Sequence, residues 1–354
     1  MKYLICCTIL VLALVGQAQA AEIPEDLRNA LPEAAQDLLD EETDFSEGTV
    51  SLVEQVSSLA GDVVRQRIRG AAAVLLVAVL CGAAEGAFHG MGGRQAVPLV
   101  SMAGVLSVTL VSAGSLDTLM GLGARTIQEL SDFSKFLLPT LAAATAASGA
   151  VTTATFQQVT AVFLADLLMG LINGVLLPLV YLYIGLLAAS AALPENRLAA
   201  LAEALKKVVT WLLTASLVAF TAYLSVARII TGATDAATVK MTKAAISGVV
   251  PVVGGIIAEA ADTVLAGAGM LKNTVGVFGT LAILAACAYP FLQLGVQYLF
   301  YKLTAFLASL LGVPMLSKLI DGLGGAFGLV LGMTGSCAIV LLVSVLSSVA
   351  AVIP

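Results

Sequence analysis

From Gly70 to the C-terminus the chain is a succession of apolar runs with only short breaks, at about 70–89, 95–115, 136–152, 159–190, 210–230, 247–270, 275–300, 303–319 and 324–352. Hydrocarbon offers a peptide group no hydrogen-bond partner. A segment long enough to cross it, about 20 residues, must therefore pair its backbone internally, and runs rich in Leu and Ala do so as helices. The expected fold class is all-α: a polytopic helical membrane protein with about seven spans, plus short broken or re-entrant helices and amphipathic helices. The runs 136–152 and 303–319, short or interrupted by Gly and Pro, are the ones read as broken or re-entrant. Composition supports the class, since 59% of residues are hydrophobic and 11% charged, against about 25% charged in soluble domains.

Three regions follow from the pattern. Residues 1–20, MKYLICCTILVLALVGQAQA, carry Lys2, an apolar core and Ala18-Gln19-Ala20 before Ala21, the layout of a cleavable signal peptide. Residues 21–69 form an acidic segment expected outside the cytoplasm. Between Ala21 and Val64 twelve acids, from Glu22 to Asp62, face Arg28 alone. A block of this kind is solvated, and it argues against nucleic acid and anionic lipid as partners, which require basic patches. Its end is amphipathic: Leu52, Val56, Leu59 and Val63 share a helix face, followed by Arg65, Arg67 and Arg69. Residues 70–354 form the multipass domain.

Orientation carries a conflict, because a cleaved signal leaves those three arginines on the outer side, against the positive-inside tendency. Either the amphipathic helix and nearby acids hold them, or the first run does not simply cross. The loop 194–207 reads as a further amphipathic helix with Leu198, Leu201, Leu205 and Val208 on one face, and the loop 231–244, with Lys240 and Lys243, is the best cytoplasmic candidate. Pro139–Pro178 and Pro251–Pro290 are equally spaced, which suggests a tandem duplication of the kind transporters use.

Catalytic constellations are missing. The single histidine, His89, excludes HExxH sites, and GMGGR at 90–94 lacks the Walker lysine of a nucleotide-binding loop. Once residues 1–20 are removed, Cys81, Cys287 and Cys337 remain, each alone in an apolar segment, where cysteine behaves as a small hydrophobe. No enzymatic activity, cofactor or metal is expected.

The polar exceptions within the apolar runs are the candidate functional residues. Gly248, Val252, Gly255, Glu259, Asp262, Ala266 and Gly269 recur at spacings of four and three, so carboxylates and small residues share one helix face. That face cannot turn to lipid, because a centred carboxylate costs about 2.5 to 3.5 kcal/mol. Asp166 repeats the pattern with Gly170, Asn173 and Gly174. Glu259, Asp262, Asp166 and Asn173 are the candidate polar stripe or pathway, and Gly248, Gly255, Gly170 and Gly174 the candidate helix-packing positions. A hydrogen-bonded structural seam explains the same residues, and Glu259 and Asp262 also suit an interfacial helix beside Lys243 and Lys272.

GVVPVVGGIIAEAADTVLAGAGMLKNTVGVFG, residues 248–279, resembles the central signature of the stage III sporulation protein AE family, and the signal, acidic segment and C-terminal spans match that family's layout. The resemblance implies a multipass protein of the mother-cell membrane around an engulfed forespore. It also implies partnership with other proteins of the same operon, including a separate ATPase and ring-forming proteins, in a secretion-like channel complex needed for late forespore gene expression. The family supplies no catalytic residues. Lipid is then the other partner, nucleic acid is not one, and a homo-oligomer is compatible. Two readings stay open beside it: an ion-coupled secondary transporter of a small solute using Asp166, Glu259 and Asp262, and an assembly scaffold that transports nothing.

Overall fold

A computed structural model describes residues 25–32, 35, 45–90, 97–148, 151–192, 198–223 and 254–349. Among these, almost every residue is helical and none is in a strand, as the apolar runs require. The short α1 (Glu25–Asn29) precedes α2 (Phe45–Gly90), α3 (Val97–Ala147), α4 (Val151–Leu171), α5 (Leu177–Ala192), α6 (Leu198–Tyr223), α7 (Gly254–Leu310) and α8 (Pro314–Val349). Six helices among the described residues are long and apolar enough to cross a membrane, against about seven spans expected from the whole chain.

Several runs merge. The amphipathic stretch 52–63 continues without a break through Arg69 into the first apolar run as α2, and Leu52 and Val63 are buried as its periodicity requires. Run 136–152 is not separate either: α3 passes through Pro139 and ends at Ala147. Run 303–319, in contrast, is broken. Gly312, with φ of 78°, ends α7 in the left-handed region, and Pro314 opens α8. Glycine adopts that conformation without a Cβ penalty, and proline at a first helical position gives up an N–H that has no partner there.

Between α4 and α5 the helix widens into a π turn, Ile172–Leu176, where the Leu177 N–H donates to Ile172 O. Pro178 follows immediately. It has no N–H to offer the carbonyl four residues back, and a π turn is one way a helix absorbs that defect. Pro290 lies inside α7 and Pro251 outside the described residues, so the proposed duplication is matched only by Pro139, Pro178 and Pro290 standing within helices.

The antiparallel pair α7–α8 forms the centre, with the most extensive packing in the structure. Around it, α2 and α3 cover α7, while α3, α4 and α5 cover α8. Tyr301 and Phe327, both fully buried, lock the pair with ring centroids 5.1 Å apart at 73°. Glycines set the close approaches: Gly279 faces Leu137 of α3 with 2.6 Å between a built Cβ and Leu137 Cδ1, and Gly123 of α3 lies against Val330 of α8. In lipid, packing of this kind replaces the hydrophobic drive that holds soluble bundles together.

Of the stretch 194–207, expected as an amphipathic helix, residues 198–207 are helical within α6, but the buried face differs from the expected one. Ala202, Val209 and Leu213 turn inward, while Leu201, Val208 and Trp211 point out. Leu and Val occur on both faces, because lipid accepts a large apolar side chain as readily as a protein core does. At 51 residues α3 is about 77 Å long at 1.5 Å per residue, far beyond a hydrocarbon core of about 30 Å. Leu99, Leu106 and Leu110 are exposed near its start, as are Leu76 and Leu80 of α2 and Leu299, Leu303, Phe306 and Leu310 of α7. These residues share the end of the bundle that holds the α7–α8 turn.

Candidate functional site

At that end lies a cavity of about 930 Å³ among α2, α3, α5, α6, α7 and α8. Its charged lining is balanced: Glu85, Glu203 and Asp321 against Lys206, Lys302 and Lys318. Lys302 Nζ stands 2.6 Å from Asp321 Oδ1, 3.4 Å from Asp321 O and 5.8 Å from the Tyr298 ring centroid. The two side chains keep 31% and 50% of their surface, so the pair faces an open space rather than a sealed core.

The segment DGLGG, Asp321–Gly325, builds the wall. Its glycines sit on two sides of α8: Gly322 against Leu187 of α5 and Gly325 against Lys206 Nζ and Tyr183 OH on one, and Gly324 against the Tyr301 Cβ of α7 on the other. Tyr183 OH donates to Gly322 O at 3.1 Å. Lys206 and Tyr183 converge on α8 where position 325 carries no side chain: a Cβ there would stand 3.1 Å from the ammonium and 3.2 Å from the phenol. Opposite, Ser101 Oγ donates to Glu85 Oε1 at 2.5 Å, and Ser317 Oγ donates to Ala305 O at 2.8 Å. Paired charges in an otherwise apolar bundle can hold polar groups or water at membrane depth, where a lone charge is costly.

A second polar seam runs down α7. Tyr289, Gln293, Gln297 and Tyr301 are spaced by four, on one face. Arg67 Nε donates to Gln293 Oε1, Gln293 Nε2 donates to Tyr289 OH at 2.8 Å, and Tyr301 OH donates to Ser112 Oγ of α3 at 2.9 Å. The Arg65–Arg69 conflict is thereby eased at one residue: Arg67 turns into the bundle, while Arg65 and Arg69 stay exposed.

The sequence candidates fall elsewhere. Glu259, Asp262 and Gly255 lie in the first turns of α7, whose helical backbone keeps them on one face, but their side chains are outside the described residues, as is Gly248. Asp166, Gly170 and Gly174 do share a face, and it points outward, with nothing within 4 Å of a Cβ built on either glycine. Asn173 is half-buried in the π turn. Neither Asp166 nor Asn173 lines the cavity. Sequence reasoning missed the Lys302–Asp321 pair and the α7 seam, although isolated charges bracketing a turn signal, and the pattern Y-x3-Q-x3-Q-x3-Y, were there to be read. Cys81, Cys287 and Cys337 are free and buried. Residues 1–20, the loop 231–244 and GMGGR beyond Gly90 lie outside the described residues.

Residues 32–352 match the family model described as Stage III sporulation protein AE. Among curated proteins, a Stage III sporulation protein AE of Bacillus subtilis (strain 168) is 28% identical over 203 residues, covering 57% of this chain and 51% of that protein. The matched stretch is thus about half the relative's length. No solved structure matches.

Proposed function

The chain belongs to the stage III sporulation protein AE family, whose role is in sporulation, and on that premise we propose that it is a membrane subunit of the secretion-like channel complex between mother cell and engulfed forespore. The observation that carries this reading is the family match across residues 32–352, joined to the six helices among the described residues that are suited to crossing a membrane. In this role the protein sits in the mother-cell membrane around the forespore, with its acidic N-terminal segment outside the cytoplasm after signal cleavage, and supports late forespore gene expression. It is not an enzyme. Energy comes from a separate ATPase of the same operon, and ring-forming proteins are its other partners.

Within that role the cavity at the α7–α8 turn is the working site. Its Lys302–Asp321 pair and the converging Lys206 and Tyr183 give polar groups a place in a bundle whose surroundings are apolar. Heat-resistant spore yield in the native host, with the gene deleted and vegetative growth measured beside it, tests the function. Lost spores with normal growth support it, and normal sporulation overturns it. The balanced cavity also supports the reading as an ion-coupled secondary transporter. Solute uptake by the purified protein alone in liposomes would favour that reading, and uptake or secretion only with the ring and ATPase partners the first.

A further inference from the structure

Gln297 is 1% exposed, and among the described residues neither its Oε1 nor its Nε2 meets a partner at hydrogen-bonding geometry, although the Tyr301 phenol lies close enough to interact with the amide. A buried primary amide without a well-formed bond is rare, because each unmade bond leaves the full desolvation cost standing. Its surroundings are polar rather than greasy. One turn before it, Gln293 accepts from Arg67 and donates to Tyr289. One turn after it, Tyr301 donates to Ser112, a fully buried hydroxyl whose own proton still needs an acceptor.

We propose that the seam between α2, α3 and α7 is a hydrated site, in which buried water completes the Gln297 amide and joins Arg67–Gln293–Tyr289 to Tyr301–Ser112 as one hydrogen-bonded chain. The ligand is water rather than an ion. Gln297 and Ser112 offer both donors and acceptors, which a water molecule satisfies in both senses and a bare cation or anion does not, and Arg67 already supplies the positive charge of the seam. Holding a water there costs less than leaving two amide atoms and a hydroxyl dry. The chain so completed follows α7 for about 18 Å, from Tyr289 to Tyr301, at 1.5 Å per residue. It ends at the residue preceding Lys302 of the cavity.

X-ray radiolytic labelling of the full chain in nanodiscs tests this, because hydroxyl radicals form where water resides and modify the side chains beside it. Tyr301 is 1% exposed and Phe327, its ring partner, 0%, so bulk solvent labels neither. The expected result is that Tyr301 is modified several-fold faster than Phe327, and that Gln297→Leu brings Tyr301 down to the Phe327 rate. Equal protection of the two rings in the unaltered protein overturns the proposal without any variant. Tyr301 labelling that persists unchanged in a folded Gln297→Leu protein overturns it as well.

Discussion

Tyr301→Phe removes one oxygen from a fully buried aromatic residue and leaves its shape intact. The ring still meets Phe327 at 5.1 Å and 73°, so packing is preserved while the 2.9 Å bond to Ser112 Oγ is lost, along with the phenol's approach to the Gln297 amide. A neutral hydrogen bond contributes about 1 kcal/mol net, and a buried group stripped of its partner costs about 1 to 3 kcal/mol. Ser112 is 0% exposed and its oxygen loses the proton it accepts, so Tyr301→Phe should cost about 1 to 2 kcal/mol. Ser112→Ala strands the phenol donor and should cost a similar amount. With both hydroxyls gone neither is left stranded, and the double variant should be no worse than either single one, a coupling of about 1 kcal/mol or more. Reversible unfolding in mixed micelles measures all four proteins. Additive losses would refute the bond and with it the close approach of α3 to α7 at this level.

Further outcomes follow from the same contacts. Gly312→Ala forces a side chain into the left-handed region at the α7–α8 turn and should lower stability by about 1 to 2 kcal/mol in the same assay. Gly324→Ala brings a Cβ to 3.1 Å from the Tyr301 Cβ, which no rotamer change relieves, so overpacking of about 1 to 3 kcal/mol should outweigh the helix gain of about 1 kcal/mol. Gly170→Ala meets open space and should raise the stability of the purified chain by up to about 1 kcal/mol. If its spore yield nevertheless falls, that outward face meets a partner. Glu259→Gln with Asp262→Asn should leave the protein level normal and abolish sporulation, and unchanged spore yield would reduce those acids to packing.

How much was legible in the sequence depended on what each signal required. Helices were legible because apolar length alone dictates them in lipid, and the Leu52–Val63 face because burial on one side imposes a period. The interior was less so. Periodicity assigned Asp166, Gly170 and Gly174 correctly to one face, but which way that face points is decided by neighbours that a single helix does not encode. The same ambiguity affected α6, where Leu201 and Val208 look like a core face yet point outward, since lipid accepts large apolar side chains as readily as a core does. Lys302 and Asp321 stand 19 residues apart across a turn, and their pairing exists only once Gly312 and Pro314 fold α8 back on α7. Merged runs such as α3 were hidden for another reason: the charged stretch from Asp117 to Lys135 interrupts hydropathy without interrupting the helix.

The account rests most heavily on the cavity at the α7–α8 turn being where this membrane subunit works. Exchanging its ion pair tests that most directly. Heat-resistant spore yield would be measured in a deletion strain carrying Lys302→Asp, Asp321→Lys or both together, with the amount of membrane-inserted protein followed in each. The pair is partly exposed and contributes only about 1 kcal/mol to stability, so protein levels should hold. Each single variant places two like charges across the cavity and should collapse the spore yield, while the double exchange restores part of it. Wild-type sporulation in all three strains at normal protein level would contradict the account.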